Sequence, residues 1–313
     1  MDRFTEGEKR CGCYDVLLHG TYFCDLIFTG LPEMPSLGKE IYSTGFEIVP
    51  GGTFSAAQAL TRLGLRTGWP CDFGSDFFSQ YVLAEAQRSG LDTSLFRIHD
   101  GPVRRVTVSL SFPHDRSFVT YIDRREPPSL LPYIEQHEIR CLYLMGLECG
   151  PEFQAAAAAA RASGAVILMD CQSTSLTLDH PAVAAALQSV DIFAPNESEA
   201  LQLTGADSLE QALDILAGYT PLVVIKSGSR GAFARRGEET LYVPGLSGLN
   251  VVDTTGAGDC FNAGFLYSYL QGHSLRCCLE SGNISGGLST TAPGGRAAPT
   301  AAQLEEWRQK IYR

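Results

Sequence analysis

Residues 256–259 set a carboxylate directly behind three small residues: Gly256, Ala257, Gly258 and then Asp259. An amphipathic pattern starts at the same place, with Phe261, Phe265, Leu266 and Tyr269 sharing one face. The segment therefore reads as a turn that opens a helix. Small residues let backbone N–H groups approach an anion closely, and a helix N-terminus adds the positive end of its dipole. An acidic residue near a helix start would by itself account for Asp259, but not for the two glycines that flank Ala257. A turn built for an anion with a carboxylate beside it points to phosphoryl transfer. The amides would hold the transferring group, and the carboxylate would take a proton from the attacking hydroxyl. No Gly-Lys-Ser/Thr follows, so this is not a Walker A loop. Cys260 and Phe261 also break the G-x-G-x-x-G pattern, and no such fingerprint follows the first strand, which excludes a nicotinamide-dependent oxidoreductase.

Such a turn needs a frame. Upstream, Val251-Val252 reads as an apolar strand end feeding it. Apolar runs at 16–18, 65–69, 141–147, 165–170, 191–194 and 221–226 alternate with helical patterns at 53–63, 77–88, 151–163, 181–188, 196–203 and 208–217. Strands alternating with helices predict β-α-β units around a mostly parallel sheet. Two stretches, 38–49 and 103–122, carry no helical pattern. The second reads as a hairpin: VTVSLSF, a PHDR turn, then SFVTYI. These pieces are expected to form a small second sheet. With no repeat and no linker, residues 1–313 read as one α/β domain.

Composition bounds the function. A 313-residue chain that is 44% hydrophobic and 19% charged is ordinary globular material. Its net charge of −11 argues against a nucleic-acid partner, which calls for a basic footprint. The opening MDRFTEGEKR is charged, and the longest apolar stretch, 155–169, is broken by Arg161 and Ser163. It falls short of the roughly 20 residues of a membrane span, so a cytoplasmic protein with no membrane partner is expected. Ten cysteines without a C-x-x-C pair read as free thiols rather than disulfides or a zinc site.

The string Asp253-Thr254-Thr255-Gly256-Ala257-Gly258-Asp259, followed by Ala263-Gly264-Phe265-Leu266, resembles the C-terminal signature of the ribokinase-like, or phosphofructokinase-B, carbohydrate kinases. The likeness runs over roughly residues 14–312. It implies a three-layer α/β sandwich, with a mostly parallel central sheet between helices and a β lid from residues near 20–50 and 103–122. It also implies ATP and Mg²⁺. By resemblance, Gly256, Ala257 and Gly258 form the anion hole and Asp259 is the base. Asn196 and Glu199 match the family's N-x-x-E motif, which orders Mg²⁺ through water, although Asn196 would also serve as a helix cap. Lys226, Gly228 and Gly231 match its nucleotide turn, and Thr254 and Asn283 fall on the nucleotide side.

At the sugar end, Gly51-Gly52 and the helix after them resemble the N-terminal signature. Asp25 stands where the family places an aspartate on sugar hydroxyls, a contact that suits a carboxylate acceptor. Glu148, closing the strand Leu144-Met145-Gly146-Leu147, is a candidate contact or a solvent-facing strand end. Three departures follow. Ser55 stands where an Asn is usual. Arg104-Arg105 and Arg124-Arg125 flank the hairpin and would read an anionic substrate or serve as a solvated basic edge. Asp253 and Thr255 match the ligands of a monovalent cation in some relatives, but the late serine position is Ala298, which leaves potassium open.

The resemblance therefore implies an ATP-dependent kinase acting on a five- or six-carbon sugar or sugar acid, dimerising through its lid. Two alternatives stay open. One is a nucleoside kinase, with Phe23, Phe28, Tyr42 and Phe112 available to stack a base. The other is a non-catalytic sugar or nucleotide sensor.

Overall fold

The computed structural model describes residues 12–112, 116–172 and 174–312. Cys11 and the first three residues of the PHDR turn lie outside them. The strands in chain order are β1 (Cys13–His19), β2 (Tyr22–Thr29), β3 (Gly45–Gly52), β4 (Thr67–Gly68), β5 (Cys71–Phe73), β6 (Phe96–Ile98) and β7 (Arg105–Ser111). They continue as β8 (Arg116–Ile122), β9 (Glu138–Leu144), β10 (Val166–Asp170), β11 (Ile192–Ala194), β12 (Leu222–Lys226), β13 (Ala232–Arg236) and β14 (Glu239–Val243).

The main sheet runs β14-β13-β12-β11-β10-β9-β1-β4. It is parallel from β12 to β4, while β13 and β14 fold back antiparallel at one edge. Side chains alternate across it as the period of two requires. Val16, Leu18, Tyr143 and Leu168 pack into one buried cluster with helices 53–62, 77–88, 257–270 and 275–289. Leu17, Leu142, Ile167 and Met169 pack into a second cluster with helices 151–162, 181–188 and 209–217. Two cores, one on each face of a single sheet, make a three-layer sandwich, as the resemblance implied. Cys24, Cys71, Cys141, Cys171, Cys260 and Cys278 are buried free thiols within it. No helix among the described residues is long and apolar enough to cross a membrane.

A four-stranded sheet, β3-β2-β7-β8, stands apart from the main one. It is the expected lid, with β2 and β7 parallel and a hairpin partner on each side. Register sorts its faces. Asp25, Ile27, Val49, Ser109, Phe118 and Arg116 share the side toward the main domain, where Asp25, Ile27, Val49 and Ser109 are buried. Leu26, Phe28, Phe46, Ile48, Val108, Val119 and Tyr121 share the other, where Phe46, Val119 and Tyr121 are exposed. Phe28 packs on Phe46 at 5.0 Å between ring centroids, so that aromatic faces away from the domain.

Two local readings are corrected. Val251 and Val252 form no strand and are exposed. The chain there is held by amides of Val252 and Asp253 donating to the Thr290 carbonyl at the end of helix 275–289, so a loop rather than a strand delivers the signature. Arg116, assigned to the hairpin turn, is instead the first residue of β8.

Candidate active site

The helix Ala257–Leu270 begins at Gly256, whose backbone is left-handed (φ 73°). That conformation and the space both demand glycine: a Cβ there would stand 2.6 Å from Ser55 Oγ. The Ala257 amide closes a long turn onto the Thr254 carbonyl at 3.3 Å, which leaves the Gly256 and Gly258 amides as the better donors to an external anion. First-turn amides have no acceptor within their own helix. Small residues also let this helix lie against its neighbour, since a Cβ on Gly264 would meet the Ser281 carbonyl at 2.4 Å.

A cleft of about 760 Å³ opens at this N-terminus, floored by Gly256, Ala257, Gly258 and Asp259. It gathers Asn196, Glu199, Lys226, Gly228, Gly231, Thr254 and Asn283 from four separate stretches of chain. All seven were expected on the nucleotide side. Gly231 (φ 101°) must be glycine, because a Cβ would lie 2.2 Å from the Val243 carbonyl. Asn196 and Glu199 form a reciprocal helix cap: Asn196 Oδ1 accepts from the Glu199 amide at 2.9 Å and Glu199 Oε2 from the Asn196 amide at 2.8 Å. The capping role is therefore present, and the second Glu199 oxygen remains for the cleft. Asn283 Nδ2 donates to the Val243 and Pro244 carbonyls at 3.0 and 3.1 Å, tying the end of β14 to helix 275–289.

Lys226 is buried. Its Nζ lies 2.7 Å from both oxygens of Asp170, a residue the sequence reading missed. Asp170 also accepts from the Cys171 amide at 2.7 Å and from Asn262 Nδ2 at 2.6 Å. Asn262 Nδ2 donates in turn to the Tyr143 hydroxyl at 2.9 Å. Burial pushes the Asp170 carboxyl up, and the ammonium and amides pull it back. The ammonium stands at the helix start, 3.5 Å from where a Gly258 Cβ would be. A clue was available: Asp170 ends the apolar run of β10, and ligands in open α/β sheets bind beyond the carboxyl ends of strands.

Asp259 is half-buried, and its carboxyl is pushed up to about 7, first by burial and then by the charge of Asp170, with Lys226 opposing. Glu199 is pushed up to about 7 by burial and Asp170. Asp25 reaches about 7 through burial and the charge of Asp253. Charge from Asp25 also reaches Asp259, although Asp25 itself does not line the cleft. Gly51 makes room for the former, since a Cβ there would sit 2.0 Å from Asp25 Oδ2. Gly52 (φ 60°) turns the chain from β3 into helix 53–62. Ser55, in that helix's first turn, is buried with its Oγ against Gly256 and no hydrogen-bond partner.

Glu148 stands apart. It lies 3.5 Å from His19 and lines a separate cavity of about 120 Å³ with Pro127, Pro128 and Phe153. The four flanking arginines do not line the cleft either. Arg104 pairs with Asp123 at 3.0 Å. Arg105 is buried, donating to the Asp72 carbonyl over the Tyr22 ring. Arg125 meets His99, and Arg124 is exposed. The arginine that reaches the signature is Arg116. Its Nη1 donates to Thr255 Oγ1 at 2.8 Å and to Asp253 Oδ1 at 3.2 Å, the two side chains expected to ligate a monovalent cation. Of the aromatics considered for stacking a base, Phe28 points to the far face of the lid and Tyr42 is exposed with its hydroxyl on Glu40.

The pfkB family carbohydrate kinase model matches residues 34–301. A 2-dehydro-3-deoxygluconokinase of Bacillus subtilis (strain 168) is 28% identical over 298 residues, 88% of this chain and 89% of that one. A ribokinase of the same organism is 25% identical over 303 residues, 93% of this chain and 98% of that one. The structure of Arabidopsis thaliana ribokinase complexed with ribose and ATP shares the fold, with a TM-score of 0.78 at 21% identity over 94% of this chain and 98% of that one.

Proposed function

We propose, from the premise that this chain belongs to the pfkB family of carbohydrate kinases, that it transfers the γ-phosphoryl group of MgATP to a hydroxyl of a five- or six-carbon sugar or sugar acid. The observation that carries the reading is Asp259. It is a half-buried carboxyl with its pKa near 7, set in the first turn of a glycine-led helix at the floor of a nucleotide-sized cleft.

The attacking hydroxyl gives its proton to Asp259 as its oxygen bonds to the γ-phosphorus, and ADP departs. A base poised near the working pH contributes typically 10²–10⁴-fold. The Gly256 and Gly258 amides and the nearby Lys226 ammonium would balance charge building on the phosphoryl oxygens, and an anion-hole donor is worth about 3–4 kcal/mol. Asp25 would accept from acceptor hydroxyls under the lid. Asn196 and Glu199 would order Mg²⁺ through water, where it neutralises phosphate charge. The relatives named 2-dehydro-3-deoxygluconokinase and ribokinase support both acceptor classes. The apolar outer lid face, with Phe46, Val119 and Tyr121 exposed, is what a second copy would cover, and light scattering at micromolar concentration should give a dimer mass.

The test is ADP release from MgATP across ribose, fructose, 2-keto-3-deoxygluconate, sugar phosphates and nucleosides, with Asp259→Asn as control. Turnover with one sugar or sugar acid that vanishes in the variant is expected. Turnover that survives the substitution removes Asp259 from the mechanism, and turnover confined to nucleosides overturns the acceptor class.

A further inference from the structure

Asp253 and Thr255 lie at the start of the signature loop, and their oxygens are already engaged. Asp253 Oδ1 accepts from the Thr255 amide at 2.9 Å, from Thr255 Oγ1 at 2.7 Å and from Arg116 Nη1 at 3.2 Å. Asp253 Oδ2 accepts from the Gly294 amide at 3.0 Å. Arg116 Nη1 also donates to Thr255 Oγ1 at 2.8 Å. A monovalent cation needs a shell of oxygens. Here a guanidinium occupies two of the expected ones, and a third expected ligand is Ala298, which has no side-chain oxygen and whose carbonyl accepts from Arg62 Nε. The donor set does not fit a resident potassium ion, and no step above runs through one.

Arg116 brings the same charge by another route. Guanidinium stays protonated at any working pH. It comes from the lid, on the face that also carries Asp25, whereas Asp253 belongs to the main domain. Asp253 opens the loop that leads to the anion hole, and its negative charge would oppose a phosphoryl group arriving there. We propose that Arg116 is a built-in cation: it neutralises Asp253, holds the Asp253–Gly258 loop in its anion-binding form, and makes that form depend on the lid's position. Potassium is then unnecessary in the intact protein. The inference rests on the kinase reading for its catalytic consequence, but not for its binding consequence.

The experiment compares the wild-type protein with Arg116→Ala and Arg116→Lys. Ionic strength is held constant with tetramethylammonium chloride while KCl or guanidinium chloride at low millimolar levels replaces part of it. Wild-type turnover should change less than twofold with potassium. Arg116→Ala should lose ten- to a hundredfold in kcat and recover part of it with potassium or guanidinium, and Arg116→Lys should retain more. Independently of turnover, the melting temperature of Arg116→Ala should rise with potassium but not with tetramethylammonium, while that of the wild type stays flat. Severalfold potassium activation of the wild type would overturn the proposal. So would an Arg116→Ala variant that shows only a raised acceptor KM and no cation rescue, because Arg116 would then read the substrate. A protein inactive with every acceptor sinks the kinase reading, and the melting data then decide the cation question alone. If Arg116→Ala fails to fold, Arg116→Gln, which removes the charge but keeps a polar side chain, carries the same comparisons.

Discussion

Replacing Asp259 by Asn should abolish turnover and at the same time stabilise the ligand-free protein at alkaline pH. Above pH 7 Asp259 feels the charges of Asp170, Glu199 and Asp25, while the Lys226 ammonium is bound to Asp170. Raising the Asp259 carboxyl from its ordinary 3.8 to about 7 costs its ionised form at most about 4 kcal/mol at 1.36 kcal/mol per pH unit. Because the carboxylate is partly open to the cleft, water reduces that, and about 2 kcal/mol is the working figure. The sign follows from linkage. The folded pKa lies above the unfolded one, so the folded protein binds the proton more tightly. Its advantage is complete below about pH 4 and is lost as pH rises through 7. The neutral amide never suffers that loss. At about 2.1 cal/mol/K per residue, a chain of 313 residues has an unfolding entropy near 0.66 kcal/mol/K, so 2 kcal/mol corresponds to about 3 °C.

The assay is a series of thermal melts of both proteins without ligand from pH 4.5 to 8.5. The variant's lead should be small at the acid end, grow through pH 5 and 6, and level off above 7. A variant no more stable than the wild type at pH 8, or one whose lead does not change with pH, would refute the claim that this carboxylate is held at an electrostatic cost.

Three further outcomes follow from the same geometry. The acid limb of the kcat/KM profile should fall below pH 7 more steeply than one proton allows, because Asp25, Glu199 and Asp259 all titrate near 7; a flat profile between pH 6 and 8 would contradict it. Gly51→Ala puts a Cβ 2.0 Å from the Asp25 carboxylate and should raise the acceptor KM about tenfold or more with the ATP KM unchanged, whereas equal rises in both would show that the lid carboxylate is not specific to the acceptor. Lys226→Met strips the ammonium from buried Asp170; removing one partner of such a pair costs about 3–5 kcal/mol, and an unchanged melting temperature would mean that the pair is not buried in solution.

The sandwich was legible because its signals are local. Helix 77–88 and helix 181–188 match their expected ranges residue for residue, one capped by Asp76 and the other started by Pro181, and the alternation in 106–110 marked a lid strand. The residues that line the cleft could be picked out because they sit in contiguous strings. What could not be read are contacts between strings. Lys226 matched the nucleotide turn, but nothing near it in sequence is acidic, so its pairing with Asp170 could not be read; that partner ends β10, 56 positions away. Asn262 seemed one more residue of an amphipathic helix, yet it is buried on Asp170 and Tyr143. Glu148 was expected to close a strand running to Leu147, but β9 stops at Leu144 and Glu148 lies in the loop beyond it, turned toward His19. Val251 and Val252 look like a strand because apolar pairs usually are strands, and no neighbouring strand is there to pair with them.

The lid arginines show why spacing alone misassigned the charge. Arg105 and Arg116 share the domain-facing side of the hairpin by register. They sit at opposite ends of it, since Arg105 pairs with Ile122 and Arg116 with Ser111. Six residues at about 3.3 Å each separate those ends by roughly 20 Å. One guanidinium therefore lies over Tyr22 at the root of the lid, and the other reaches Asp253 at the edge of the anion hole. Sequence position gives the parity of a strand residue, but which end meets the site depends on how the lid is hung on β2. That is fixed by the parallel pairing of β2 with β7, a contact spanning about 80 residues. Within the site, the same long-range assembly crowds Asp25, Glu199 and Asp259 around few cations. Holding each carboxyl near 7 is a stability cost of the kind expected where function sets the terms.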